Sequence, residues 1–111
     1  MIELIDTHQH LWDLSRHRYS WCVGVPKLHR SFTMGDYVAA ASEMHGTRLI
    51  GAVHIEADVD EPFMVDEIRW VLSQAADPAT PTIAAVGCCR PESSEREFRS
   101  FLEQFTENTH L

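Results

Sequence analysis

Leu49-Ile50-Gly51-Ala52-Val53-His54-Ile55 is a near-continuous apolar run, the pattern of a strand covered on both faces. Upstream of it, Thr33-Met34-Gly35-Asp36 offers a capping hydroxyl with an acid three residues on. Tyr37, Val38, Ala41 and Met44 follow at helical spacing, and Gly46 stands where that helix should stop. Downstream, Asp60 is placed to cap a second helix with Pro62 in its first turn. Met64, Ile68, Val71, Leu72 and Ala75 then fall on one stripe, and Asp77-Pro78 and Pro81 break it. Further out, residues 2–6 and 82–87 are short and apolar enough for a first and a third strand. A last helix starts near Ser94, with Phe98, Phe101, Leu102 and Phe105 spaced for burial against a sheet.

The order is β-α-β-α-β-α, which implies an α/β fold of parallel strands joined by right-handed crossovers. The connection from 11 to 32 is long, has no period of its own and is rich in Trp, His and Arg. Such a connection is usually functional or disordered, and its bulky aromatics favour function. Three parallel strands leave sheet edges unprotected, and a fourth should begin where Asn108-Thr109-His110-Leu111 follows the last helix. The expectation is a single incomplete domain over 1–111, the N-terminal part of a (β/α)₈ TIM barrel, which takes about 250 residues when complete. The competing expectation is a small three-stranded α/β domain, complete as it stands.

Composition narrows the partners. The 111 residues carry 9 Lys+Arg against 17 Asp+Glu, a formal charge of −8, with 44% apolar and 23% charged residues. That is an ordinary globular balance, and its acid excess without a basic stripe argues against nucleic acid or an anionic membrane. No apolar run approaches the ~18 residues of a membrane span. Met1-Ile2-Glu3-Leu4-Ile5-Asp6 carries acid where a signal peptide needs positive charge, so a cytoplasmic location is expected. Cys22, Cys88 and Cys89 have no framework spacing and read as reduced thiols.

The sharpest chemical feature is Asp6-Thr7-His8-Gln9-His10 at the end of the first strand. Alternation along a strand points His8 and His10 the same way, their Cα atoms about 6.6 Å apart. Two imidazoles so placed can converge on one cation, with zinc the default for neutral imidazole, or can be hydrogen-bonded residues of a polar turn. Asp6, of the same parity, is placed to orient a ligand from behind. In α/β sheets and barrels function gathers at the carboxyl ends of strands, where this pair lies. Glu56, at the end of the second strand and sharing parity with His54, is a candidate for substrate or metal, or else a solvated acid beside Asp58, Asp60 and Glu61. Trp12, Tyr19 and Trp21 are candidates to wall a substrate pocket, or to pack the long loop down.

Ile5-Asp6-Thr7-His8-Gln9-His10-Leu11-Trp12-Asp13, followed by Arg18-Tyr19-Ser20-Trp21, resembles the opening of the amidohydrolase-related (amidohydrolase 2) family. The similarity is closest to its lactonase-like branch of fuconolactonases and pyrone-dicarboxylate lactonases. Val53-His54-Ile55-Glu56-Ala57 resembles the end of that branch's second strand, and Glu67-Ile68-Arg69-Trp70 a stretch of its second helix. The resemblance runs over nearly all of the chain but only about the first third of a family member. It implies a (β/α)₈ barrel that hydrolyses a lactone or related carbonyl compound, a sugar-acid or aromatic-derived lactone for this branch. His8 and His10 match the family's first-strand His-x-His, which holds a divalent metal in many members and polarises substrate without metal in others. The further ligands and the general-base aspartate that the resemblance implies would lie beyond Leu111, so residues 1–111 alone are expected to be inactive.

Other features carry less. Cys88-Cys89 lacks a Cys-x-x-Cys motif and reads as small buried apolar residues. The glycines form no phosphate-cradling loop. His45 and His110 sit near helix ends, and His17 and His29 in the long loop. The expectation is therefore the N-terminal segment of a metal-dependent hydrolase acting on a lactone. The alternatives are a decarboxylase of the same superfamily and a small non-enzymatic α/β interaction module.

Overall fold

A computed structural model describes residues 1–108 and 110–111; Thr109, within the stretch expected to start a fourth strand, lies outside the described residues. The elements are β1 (Ile2–Gln9), α1 (Met34–Ser42), β2 (Thr47–Ile55), α2 (Met64–Ala75), β3 (Thr82–Val86) and α3 (Glu95–Glu103). The strands form one sheet in the order β1-β2-β3, and both pairings are parallel. The apolar run of β2 takes the central place, paired with β1 on one edge and β3 on the other.

Helix starts follow the capping chemistry. Thr33 N–H donates to Asp36 Oδ2 at 2.9 Å at the head of α1. Ser94 Oγ accepts from the Glu97 N–H at 3.2 Å while the Ser94 N–H donates back to Glu97 Oε2, closing a capping box on α3. Asp60 begins a 3₁₀ turn, Glu61–Phe63, that carries Pro62 and runs directly into α2. Two expectations are corrected. Gly46 does not end α1, whose cap is Glu43; with φ +71° it turns the chain into β2 and accepts a bond from the Ile2 N–H at 2.9 Å. β1 runs to Gln9 rather than residue 6, because Gln9 resumes the ladder opposite His54 after an irregularity.

The core has two parts. All five stripe residues of α2 are buried; Ile68, Val71 and Leu72 meet Ala85 of β3 and Phe105. A second cluster joins Trp12, Tyr19 and Cys22 of the long connection to Ala57, Val59, Met64 and Cys88. The aromatic stripe of the last helix is only partly used. Phe105, expected on this helix, is buried but lies past its end at Glu103; Phe101 touches both clusters, while Leu102 is exposed. Helix α1 buries no residue, and Ile5, Ile50, Ile83 and Val86 of the sheet stay exposed.

Beyond α3, the Ala85 N–H donates to the His110 carbonyl at 2.7 Å, and His110 Nδ1 lies 3.0 Å from the Ile83 carbonyl. The chain therefore meets the open edge of β3 where a fourth strand is expected. Among the described residues no helix is long and apolar enough to cross a membrane.

Close packing of α2 on β3 gives a first prediction. A Cβ at Gly87 would lie 2.9 and 3.0 Å from Ile68 Cδ1 and Cγ1, in the buried seam. Gly87→Ala is expected to lower stability by about 1–3 kcal/mol, read as a fall in urea midpoint. At Gly51 the nearest atom is the Cδ1 of exposed Ile83, at 3.2 Å, which can swing aside. Gly51→Ala is expected to stay within about 0.5 kcal/mol of wild type.

Candidate functional site

The irregularity near the end of β1 arranges the histidines. Asp6 Oδ1 accepts from the His8 backbone N–H at 3.0 Å, and Asp6 Oδ2 accepts from Tyr37 Oη of α1 at 2.8 Å. Asp6 thus fixes the backbone at His8 and ties it to α1, bonding to those groups rather than to an imidazole. Gln9 turns inward, and its Oε1 accepts from the Thr82 hydroxyl at 2.8 Å, reaching β3 across the sheet. His8 and His10, on either side of buried Gln9, are both exposed with ring centroids 4.9 Å apart and planes at 76°.

His10 is oriented by a second strand. Its Nδ1 lies 2.9 Å from the Ile55 carbonyl at the end of β2. A carbonyl only accepts, so the ring donates through Nδ1 and keeps Nε2 as its lone-pair nitrogen. Holding the far N–H on a backbone carbonyl is how ligating imidazoles are commonly aimed. Spacing agrees with this. Two imidazoles on neighbouring positions of one ion, at nitrogen–metal distances of about 2.0–2.1 Å, place their ring centroids about 4.5–5.2 Å apart. The pair fits two ligand positions; among the described residues no group of three or more His, Cys, Asp or Glu converges as a metal site.

His54 lies opposite Gln9 on β2, 2% exposed, with neither ring nitrogen hydrogen-bonded. Burial above all, and then nearby His10, lowers its pKa to about 4, so it is neutral at pH 7. Glu56 follows β2, and its Oε2 accepts from the Asp58 N–H at 2.7 Å, closing a turn in which Asp58 has φ +51°. Trp12 is buried: its backbone pairs both ways with Phe32, and its ring meets Phe32 at 4.6 Å and Trp21 at 5.6 Å. The structure thus brings His8 and His10 together, puts Trp12 in the loop core, and puts Glu56 in the turn after β2.

The 11–32 connection is fastened at three places beside these strand ends. Trp21 Nε1 donates to the Ala57 carbonyl at 2.7 Å. Asp60 accepts from the Ser20 N–H, the Ser20 hydroxyl and Arg18 Nε, and these bonds hold its carboxyl at a pKa of about 2. Tyr19 Oη donates to Glu67 Oε2 of α2 at 2.6 Å, both residues being 1% exposed. Glu67 is an anchor to which the sequence reading assigns no role, quoting it only within the helix stretch of the resemblance; its physical signal is a charged residue inside the apolar stripe of α2. Cys88 is buried, and burial pushes its thiol pKa up, as befits a packing residue.

The sequence matches no known protein-family profile. It is 28% identical over 79 residues to an uncharacterized protein, y4mH, of Sinorhizobium fredii, covering 63% of this chain and 26% of that protein. Among solved structures it is similar to amidohydrolase 2 from Bifidobacterium longum subsp. infantis, with a TM-score of 0.66 and 23% identity over 78% of this chain and 33% of the other. The chain thus spans about a quarter of that curated relative and a third of that structure. The likeness is one of fold: an α/β arrangement of parallel strands alternating with helices, as in part of a β/α barrel.

Proposed function

We propose that residues 1–111 are the N-terminal segment of an amidohydrolase-type (β/α)₈ barrel. In this reading His8 and His10 present two imidazoles to a divalent cation, zinc by their donor chemistry, in a hydrolase that opens a lactone. The observation that carries it is the pair itself: rings 4.9 Å apart at a strand end, one of them aimed by the Ile55 carbonyl. The barrel-like fold and the Asp-x-His-x-His opening support the same reading. A bound cation would supply Lewis-acid polarisation of a carbonyl and a more acidic water. This chain's own residues set up the site. Ile55 fixes the His10 tautomer, Asp6 and Gln9 fix the strand end, and Trp21 ties the 11–32 connection to Ala57 just past the end of β2.

The test is zinc content and hydrolysis of sugar-acid and aromatic lactones by the full-length protein, residues 1–111 with the rest of the barrel, and by its His8→Ala/His10→Ala variant. Loss of the cation's electrostatic help is expected to lower kcat/KM by at least about 10²-fold. Chelation should abolish turnover and added zinc should restore it in the wild type alone. Equal metal content and equal turnover in the two proteins would overturn the proposal.

A further inference from the structure

His17 lies in the first half of the 11–32 connection, seven residues after His10, and no step above uses it. It is 7% exposed, and its ring is enclosed by Tyr19 from its own segment, Phe63 from the 3₁₀ turn before α2 and Trp70 from α2. The ring centroids are 6.4, 6.0 and 5.7 Å away, and every approach is edge-on. Its backbone N–H is bonded to the Asp13 carbonyl, but Nδ1 is buried without a partner. Such a niche suits a neutral imidazole, because a second ring N–H would be buried with no acceptor.

We propose that His17 is a proton-sensitive latch: the neutral ring docks the 11–32 connection on α2, and protonation loosens it.

The charges around the ring divide. Asp66 of α2 and Asp13 favour the cation, whereas Arg16, whose guanidinium lies over Trp70, opposes it. Arg18 lies over Phe63, and Glu67 is reached only through Tyr19 Oη. Burial outweighs the acids and holds the ring below the usual histidine range. In the undocked segment His17 regains an ordinary pKa of about 6.5. Docking is therefore full above about pH 6.5 and weakens as the pH falls below it. One proton limits the change to about tenfold in the docking equilibrium per pH unit. Because Leu11 and Trp12 directly follow His10, loosening would be felt beside the strand-end pair.

Amide hydrogen exchange of residues 13–25 in the wild type and in His17→Phe, at pH 7.5 and 5.5, tests this, since comparison at each pH cancels the intrinsic pH dependence of exchange. Equal exchange at pH 7.5 and several-fold faster exchange of the wild type at pH 5.5 is the expected result. The same wild-type-to-variant ratio at both pH values would overturn the latch. Should the Phe variant misfold, NMR titration of the wild-type His17 ring decides the matter. A midpoint below 6.5, with Tyr19 and Trp70 signals moving alongside it, supports the proposal; a midpoint at or above 6.5 overturns it.

Discussion

Tyr19→Ala is expected to lower folding stability by about 3–5 kcal/mol, and Tyr19→Phe by about 1–2 kcal/mol. The ring occupies the centre of the cluster that joins the long connection to Ala57, Val59 and Met64, and it is 1% exposed. Truncation leaves a cavity that such neighbours fill only in part. The hydroxyl contributes separately, because it is the side-chain donor to a carboxyl buried equally deeply. Removing it leaves the Glu67 carboxyl to accept from the Ala57 backbone N–H alone. Wild type and Tyr19→Phe differ in pH dependence. Burial raises the Glu67 pKa above its ordinary value, and the bond from Tyr19 opposes that rise. A raised carboxyl pKa means the folded state holds a proton that the unfolded state has released, so stability falls as pH rises from the unfolded toward the folded value. Without the hydroxyl the folded value climbs further and the window widens. The deficit of Tyr19→Phe should thus be larger at pH 8 than at pH 5. Urea midpoints at constant m-value measure both quantities. A Tyr19→Ala midpoint within about 0.5 kcal/mol of wild type would show that the connection is not held through this residue.

Local rules made much of the fold legible. The capping motif at Thr33, the helix start near Ser94 and the apolar run of β2 are read within a few residues, and each appears where its chemistry puts it, whereas Asp60 and Pro62 open a 3₁₀ turn and α2 begins only after it, at Met64. The stripe of α2 was legible for the same reason. What escaped was set by distant partners. Glu67 looks like a surface acid until Tyr19, 48 residues away, is placed against it. Gln9 extends β1 only because Thr82 and His54 meet it from the other two strands. Sequence spacing could bring His8 and His10 to one side, but not reveal that Ile55 aims one of them. Helical periodicity promised burial to the α1 residues and to Leu102, yet periodicity names a face without naming what covers it.

Acidification is expected to remove about 3 kcal/mol of stability through His54, the free energy of moving one proton affinity from about 6.5 to about 4. The sign follows from the direction of the shift. The unfolded histidine binds its proton near pH 6.5, whereas the folded one resists it until about pH 4, so below 6.5 protons pull the equilibrium toward the unfolded chain. The contribution is fully present above pH 6.5, is lost progressively on descent, and is exhausted below about pH 4. Burial is the main cause, since neither ring nitrogen has a partner that would compensate a charge. His54→Leu fills the same space without a titrating group and abandons no hydrogen bond, so its stability at pH 7.5 should match or exceed that of wild type. Urea midpoints at pH 7.5, 6 and 4.5, in chelating buffer so that metal release by the strand-end pair does not intrude, separate the two proteins. His17 titrates through an overlapping range and leaves a residual slope in both, so the diagnostic quantity is the difference between their profiles. A difference that stays constant from pH 7.5 to 4.5 would mean that His54 is already accessible to protons in the folded chain. The tightly covered seam between Gln9 and β3 would then have to open in the native state.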